Sequence, residues 1–107
     1  MTEASNRGEI DANGEIVSLD TSGAGAVGLQ LAGTFVGTIA FEGSVDGGTF
    51  VALNMVPSNS ATAASSATGA GCWSANCGGY RRVRARATAW TSGTAAVALS
   101  SAVSGGK

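Results

Sequence analysis

Short runs of alternating apolar and polar residues, separated by glycine-containing turns, dominate this sequence. The clearest pair of runs is Phe35–Ser44 and Thr49–Asn54, which flank the turn sequence Asp46-Gly47-Gly48. Alternation with a period of two is typical of half-buried β-strands, and a short glycine turn between two such runs predicts a β-hairpin. This pattern constrains the chain to an all-β fold more than any other feature.

The rest of the chain repeats this pattern. The runs Tyr80–Trp90 and Thr94–Ala102 flank Thr91-Ser92-Gly93 and predict a second hairpin. No segment keeps a helical period over several turns. Counting the short runs gives about seven or eight antiparallel strands, which is typical of a single-domain β-sandwich or jelly roll.

The N-terminal segment differs from the remainder in polarity. Residues 1–14 are polar and contain Gly8 and Gly14, so we predict a flexible arm over 1–14 and a β-sandwich domain over 15–107. Five of the seven acidic residues lie in the first twenty positions, whereas four of the six basic residues lie between positions 81 and 86. We therefore expect the acidic arm of one subunit to reach the basic strand of another.

The large apolar residues are few for a chain of 107 residues. The hydrophobic content is 44%, but much of it is alanine, which buries little area per residue. A core this thin predicts that neighbouring subunits supply part of the buried area, and therefore a homo-oligomer.

The basic strand carries the first candidate contact residues. Period-two alternation places one set of side chains on a single face, namely Arg82, Arg84, Arg86, Thr88 and Trp90. Guanidinium groups that repeat at roughly 6.6–7 Å can bind a row of carboxylates. The alternative is a solvated face whose arginine stems cover neighbouring residues. The candidate carboxylates are Glu42 and Glu15 within the chain, and Glu3, Glu9 and Asp11 of a neighbouring subunit.

Cysteine and tryptophan supply the other candidates. Cys72 and Cys77 are separated by four residues, so they either close a small disulfide loop or remain two free thiols; both readings stay open. Trp73 and Trp90 are candidate interface or core aromatics, with sugar stacking as the alternative.

Composition argues against several function classes. The chain has no histidine, which removes His-based catalytic triads and the commonest general base, and two cysteines cannot complete a zinc site. The net charge of −1 and the scarcity of aromatic residues argue against nucleic acid as a partner. No apolar run approaches a membrane span, and no secretory signal pattern stands at the start, so we expect synthesis in the cytoplasm. We expect no catalytic residue, no cofactor and no metal.

Three motifs occur in an order that resembles small β-rich virion proteins of tailed bacteriophages. They are Phe41-Glu-Gly-Ser-x-Asp-Gly47, Tyr80-Arg-x-Val-Arg-x-Arg86 and Thr91-Ser-Gly-Thr94, and the likeness covers most of residues 26–102. The stretch around Cys72 and Cys77 departs from the pattern.

The resemblance implies a virion component made in the host bacterial cytoplasm, and most specifically a capsid decoration (cement) protein. Such a protein is expected to form trimers, to bind the outer surface of the major capsid protein shell and to reinforce it. The alternatives are a tail or fibre adhesion module that recognises host glycans, and a neck or head-completion protein. A host-encoded carbohydrate-binding module would normally carry a secretion signal.

Overall fold

Ten β-strands and no helix occur in residues 5–60 and 62–102, the part of the chain that the computed structural model describes. That part accordingly has no helix long and apolar enough to cross a membrane. The strands are β1 (Ser5–Ile10), β2 (Ile16–Asp20), β3 (Ala26–Ala32), β4 (Phe35–Ser44), β5 (Val51–Ala52), β6 (Val56–Pro57), β7 (Ser66–Ala67), β8 (Gly71–Asn76), β9 (Arg82–Gly93) and β10 (Ala95–Ala102).

The strands form two antiparallel sheets of five. Sheet A has the order β1-β10-β3-β8-β6, and sheet B has the order β2-β9-β4-β5, with β7 also paired to β4. The prediction of an all-β sandwich is confirmed. The strand number exceeds the predicted seven or eight because β6 and β7 have only two residues each, too short for an alternation pattern to show, and because β1 lies in the segment predicted as an arm.

The first predicted hairpin is present. Strands β4 and β5 pair with Glu42 opposite Ala52, and the connecting turn is organised by Asp46. One oxygen of its carboxylate accepts from the backbone N–H groups of Thr49 and Gly48 at 2.8 Å and from the Ser44 hydroxyl at 3.0 Å. These hydrogen bonds, led by the one from Thr49, lower the pKa of Asp46 to about 2. Asp46 is therefore a turn residue.

The second predicted hairpin is wrong. Strand β9 pairs with β2 and β4 in sheet B, whereas β10 pairs with β1 and β3 in sheet A. The chain crosses from one sheet to the other at Gly93, which has a φ of 90°. Alternation identified both strands, but it carries no information on which sheet each strand joins.

The core lies between the two inner faces. Sheet A contributes Val27, Leu29, Leu31, Val97 and Leu99, and sheet B contributes Val17, Leu19, Ile39, Phe41, Val83, Ala85 and Ala87. The Phe41 ring of sheet B meets the Trp73 ring of sheet A at a centroid distance of 5.3 Å. The alanines of β9 that face the core occupy little volume. Close packing between the two sheets therefore leaves room for only a few large side chains.

The predicted flexible arm needs correction. Residues Ser5–Ile10 form β1, which pairs with β10 along its whole length, and Ile10 is fully buried. An edge strand can be polar because only one of its faces meets the core; here a Cβ added at Gly8 would lie 2.9 Å from the Val17 side chain. The sandwich therefore includes part of the segment assigned to the arm, while residues 1–4 lie outside the described residues.

Candidate functional site: the arginine face of sheet B

The arginine face is the outer surface of sheet B, formed by β2, β9 and β4. On β9, Val83, Ala85 and Ala87 are buried, so the alternating arginines point away from the core. Cross-strand register places Ile16, Ser18 and Asp20 of β2 beside Arg86, Arg84 and Arg82, and Ala40, Glu42 and Ser44 of β4 on their other side. The predicted row is confirmed over these three arginines.

Glu42 is the centre of this face. Its Oε1 accepts from the Nε of Arg84 at 2.7 Å and the Nε of Arg86 at 3.0 Å, and its Oε2 accepts from Nη2 of Arg86 at 2.8 Å. The predicted pairing of Glu42 with the arginines is therefore confirmed. The Arg84 guanidinium also lies 3.8 Å from the ring centroid of Phe50, a cation–π contact. Two of the three arginines are thus held by partners within the chain.

The cluster of Glu42 with Arg84 and Arg86, called the clamp below, changes the titration of Glu42. The hydrogen bond from Arg86 makes the largest contribution, Arg84 adds to it, and together they outweigh partial burial and lower the pKa of Glu42 below its ordinary value of 4.5. A carboxylate with a depressed pKa stabilises the fold above its unfolded-state pKa, and the stabilisation is lost as the pH falls through the folded-state value. The clamp is therefore a stabilising element at neutral pH.

We expect Glu42→Gln to lower the free energy of unfolding by about 1–2 kcal/mol at pH 7, because two arginines lose their charged acceptor. The difference from wild type should begin to shrink as the pH falls below 4.5, the ordinary pKa of Glu42, and should disappear as the pH falls through the lower folded-state pKa. Urea unfolding at pH 7 and pH 3 measures both values. Glu9→Gln, compared at about 1 µM protein so that association between copies does not contribute, is the control, since this exposed carboxylate makes no ion pair among the described residues. A difference that stays constant with pH would contradict the clamp.

The other predicted carboxylates lie elsewhere. Glu9 points outward from sheet A, on the opposite side of the sandwich from the arginine face. The Asp11 N–H donates to Oε1 of Glu15 at 2.8 Å and lowers the pKa of Glu15. A separate side-chain hydrogen bond with Glu15 raises the pKa of the Asp11 carboxyl. Glu3 lies outside the described residues. A contact of these acids with the arginines of another subunit stays a prediction.

The structure decides between the two readings of the cysteines. Both are free thiols: Cys72 is exposed on β8, and Cys77 is buried just beyond it. An extended strand separates residues five apart by roughly 16 Å, far beyond the reach of a disulfide. The candidate disulfide is therefore wrong, and burial raises the pKa of the Cys77 thiol.

Both tryptophans are half-buried and pack against the core. Trp90 stacks on Phe35 at a centroid distance of 5.2 Å and donates from Nε1 to the Gly93 carbonyl at 3.2 Å. Its predicted place on the arginine face is wrong. The register shift between Thr38 and Ile39 of β4 leaves one extra residue on β9 and turns Trp90 toward Gly37, where an added Cβ would lie 2.5 Å from the indole. A role for either indole at an interface stays a prediction.

Three apolar residues of the arginine face were not predicted from the sequence. Ile16 is 46% exposed and Val36 is 56% exposed, and half-buried Phe50 covers Arg84. Val36 has the same parity as Glu42 along β4, so alternation could have placed it on this face. The surface therefore combines exposed apolar groups with arginines, a composition typical of protein interfaces.

Comparison with known proteins gives a match in fold. No protein-family model matches the chain, and no curated protein matches it. The crystal structure of the SPBc2 prophage-derived protein YomS aligns with a TM-score of 0.74 at 12% identity, covering 95% of this chain and 96% of YomS. The PBSX exported protein XepA aligns with a TM-score of 0.74 at 23% identity, covering 94% of this chain and 39% of XepA.

A weaker match is PliG of Aeromonas hydrophila, a periplasmic inhibitor of g-type lysozyme, with a TM-score of 0.52 at 11% identity over 92% of this chain and 85% of PliG. At these identities the comparisons establish the fold alone. This chain has the sandwich of two prophage-derived proteins.

Proposed function

We propose that this chain is a phage-encoded virion structural protein, and more specifically a capsid decoration protein that binds the outer surface of the major capsid protein shell. The observation that carries the proposal is the end-to-end match of its fold to the prophage-derived YomS, at a TM-score of 0.74. The description of XepA as an exported protein is consistent with work outside the bacterial cell. The motifs that resemble phage virion proteins point the same way.

The proposed shell contact is the arginine face. It offers apolar area at Ile16, which is paired with Arg86, and at Val36 farther along β4, together with half-buried arginines that Glu42 holds in place. Arginines held in one geometry lose less conformational entropy on binding than free ones. An acidic surface on the shell would complement them.

In this proposal the protein acts by binding and not by catalysis. The described carboxylates with several hydrogen bonds have structural roles: Glu42 holds two arginines, and Asp46 organises a turn. The glycan-binding alternative is less favoured because both indoles pack on the core instead of forming an open stacking platform. The neck alternative, in which the arginines would face DNA, is less favoured because the net charge is −1 and aromatic residues are scarce.

Immunogold labelling of purified virions with an antibody to this chain tests the proposed function. Dense label over the heads is the expected result. Label confined to the tail tip or the neck would replace the decoration role with one of the two alternatives. Virions without label would overturn a virion role.

We expect Val36→Asp to weaken binding to purified shells by about tenfold, because it removes exposed apolar area and adds a negative charge to the face that would meet an acidic shell surface. The matched control is Val56→Asp. Val56 is 40% exposed but lies on sheet A, so this variant should bind like the wild type. Co-sedimentation with shells at increasing protein concentration measures both affinities. Equal affinity of the two variants would exclude the arginine face as the contact.

A further inference from the structure

The outer face of sheet A carries only small side chains at its centre. Its outward positions on β3 and β10 are Ala26, Gly28, Ala32, Ala96, Ala98, Ser100 and Ala102, with Gln30 as the one larger residue. Two adjoining shallow depressions, of about 340 and 430 Å³, lie on this face and share Arg7, Gln30 and Ala98. A surface without large projecting groups can approach another sheet closely over its whole width.

The edge strand β1 adds two opposite charges to the same face. Arg7 lies opposite Ala98 and Glu9 lies opposite Ala96, so both side chains point outward two residues apart. Both are exposed, and neither side chain makes an ion pair or a hydrogen bond within residues 5–60 and 62–102. The face thus carries a positive and a negative group side by side at its rim.

We propose that two copies of this chain pack face to face through sheet A, about a two-fold axis that crosses the strands between Ala96 and Ala98. This axis places Arg7 opposite Glu9 of the partner subunit, and Glu9 opposite Arg7 of the partner subunit. It also places Ala98 against the partner's Ala96. The pairing is self-complementary in charge, as a two-fold interface requires.

The area of the face sets the expected affinity of the dimer. The face is four strands wide, at about 4.8 Å per strand, and seven residues long, at about 3.3 Å per residue. Its area is therefore roughly 450 Å² per copy. The total of roughly 900 Å² lies below the standard interface range, which indicates a weak, reversible dimer. One flat face can pair with only one other copy, so this surface produces a dimer and not a trimer. The inference is independent of the proposed function, because the proposed shell contact lies on the other sheet.

Sedimentation velocity tests the dimer over about 10 to 500 µM protein, with a reductant present because Cys72 is exposed. Arg7→Glu and Glu9→Arg should each weaken the dimer about tenfold, because each creates two like-charge contacts. The double variant R7E/E9R should return to within about threefold of wild type, since it restores both pairs in reversed order. A role of these residues in folding alone would not produce this recovery.

Two further variants locate the contact. Ala98→Arg places a long charged side chain at the centre of the face and should leave only monomer. Val36→Arg adds the same charge to the outer face of sheet B and should leave the dimer unchanged. Circular dichroism confirms that each variant folds. Monomer throughout the wild-type series, a trimer, or a double variant without recovery would each overturn the proposal.

Discussion

Gly93→Ala should destabilise the protein by about 3 kcal/mol or more, the largest effect we expect from adding a single methyl group. Gly93 has a φ of 90°, a conformation that residues with a Cβ rarely adopt. An added Cβ would overlap the Thr34 carbonyl oxygen and lie 2.7 Å from Cα of Phe35. Because the chain leaves sheet B for sheet A here, relief of the overlap would shift the start of β4 or of β10.

Gly79→Ala is the matched control for this substitution. Gly79 also has a φ of 90°, but no atom lies within 4 Å of an added Cβ. Gly79→Ala should therefore lower the free energy of unfolding only through the unfavourable backbone conformation, by about 1–2 kcal/mol. Urea unfolding of both variants at pH 7 gives the two losses. Equal losses would mean that backbone conformation alone, and not crowding at the crossing between the sheets, explains the glycine at position 93.

Phe41→Ala should cost about 3–5 kcal/mol, because it leaves a cavity between the two sheets. Phe41 is fully buried, and its ring makes a tilted contact with Trp73 of the opposite sheet at 5.3 Å. Few large side chains fill this core, so the surrounding alanines cannot collapse far enough to close the gap. Phe41→Leu should lower the free energy of unfolding by less, since leucine retains most of the volume of the phenylalanine side chain.

Phe50→Ala controls for loss of an aromatic ring as such. Phe50 is half-buried and covers the Arg84 guanidinium, so its removal should cost about 1 kcal/mol. Urea unfolding monitored by tryptophan fluorescence measures all three variants, and Phe41→Leu keeps the test informative if Phe41→Ala does not fold. A loss at Phe41 no larger than the loss at Phe50 would show that the contact between the sheets contributes little.

Local pattern was sufficient to predict several features of this protein. The hairpin around Asp46 and the outward arginines of β9 follow from alternation and turn chemistry, which involve only residues close together in sequence. For the carboxylate partner of this row the sequence left Glu42 and Glu15 both open, and the register of β4 against β9 places Glu42 opposite Arg84.

Pairing between distant strands was decided by the tertiary structure. The polar segment Ser5–Ile10 forms a strand because it pairs with the free edge of β10 and because Ile10 is buried in the core. The extended β8 separates Cys72 from Cys77, although their spacing in sequence also suits a loop. Neither outcome can be deduced from the residues of those segments alone.

By itself, the sequence determined that β2, β3, β4, β9 and β10 are strands and that Arg82, Arg84 and Arg86 face outward, because a side-chain period of two is a local property. Only the tertiary structure decided that β9 and β10 belong to different sheets and that Trp90 turns back toward the core. The physical reason is that sheet membership and bulges depend on the partner strand, since each arises where two backbones must satisfy each other's hydrogen bonds.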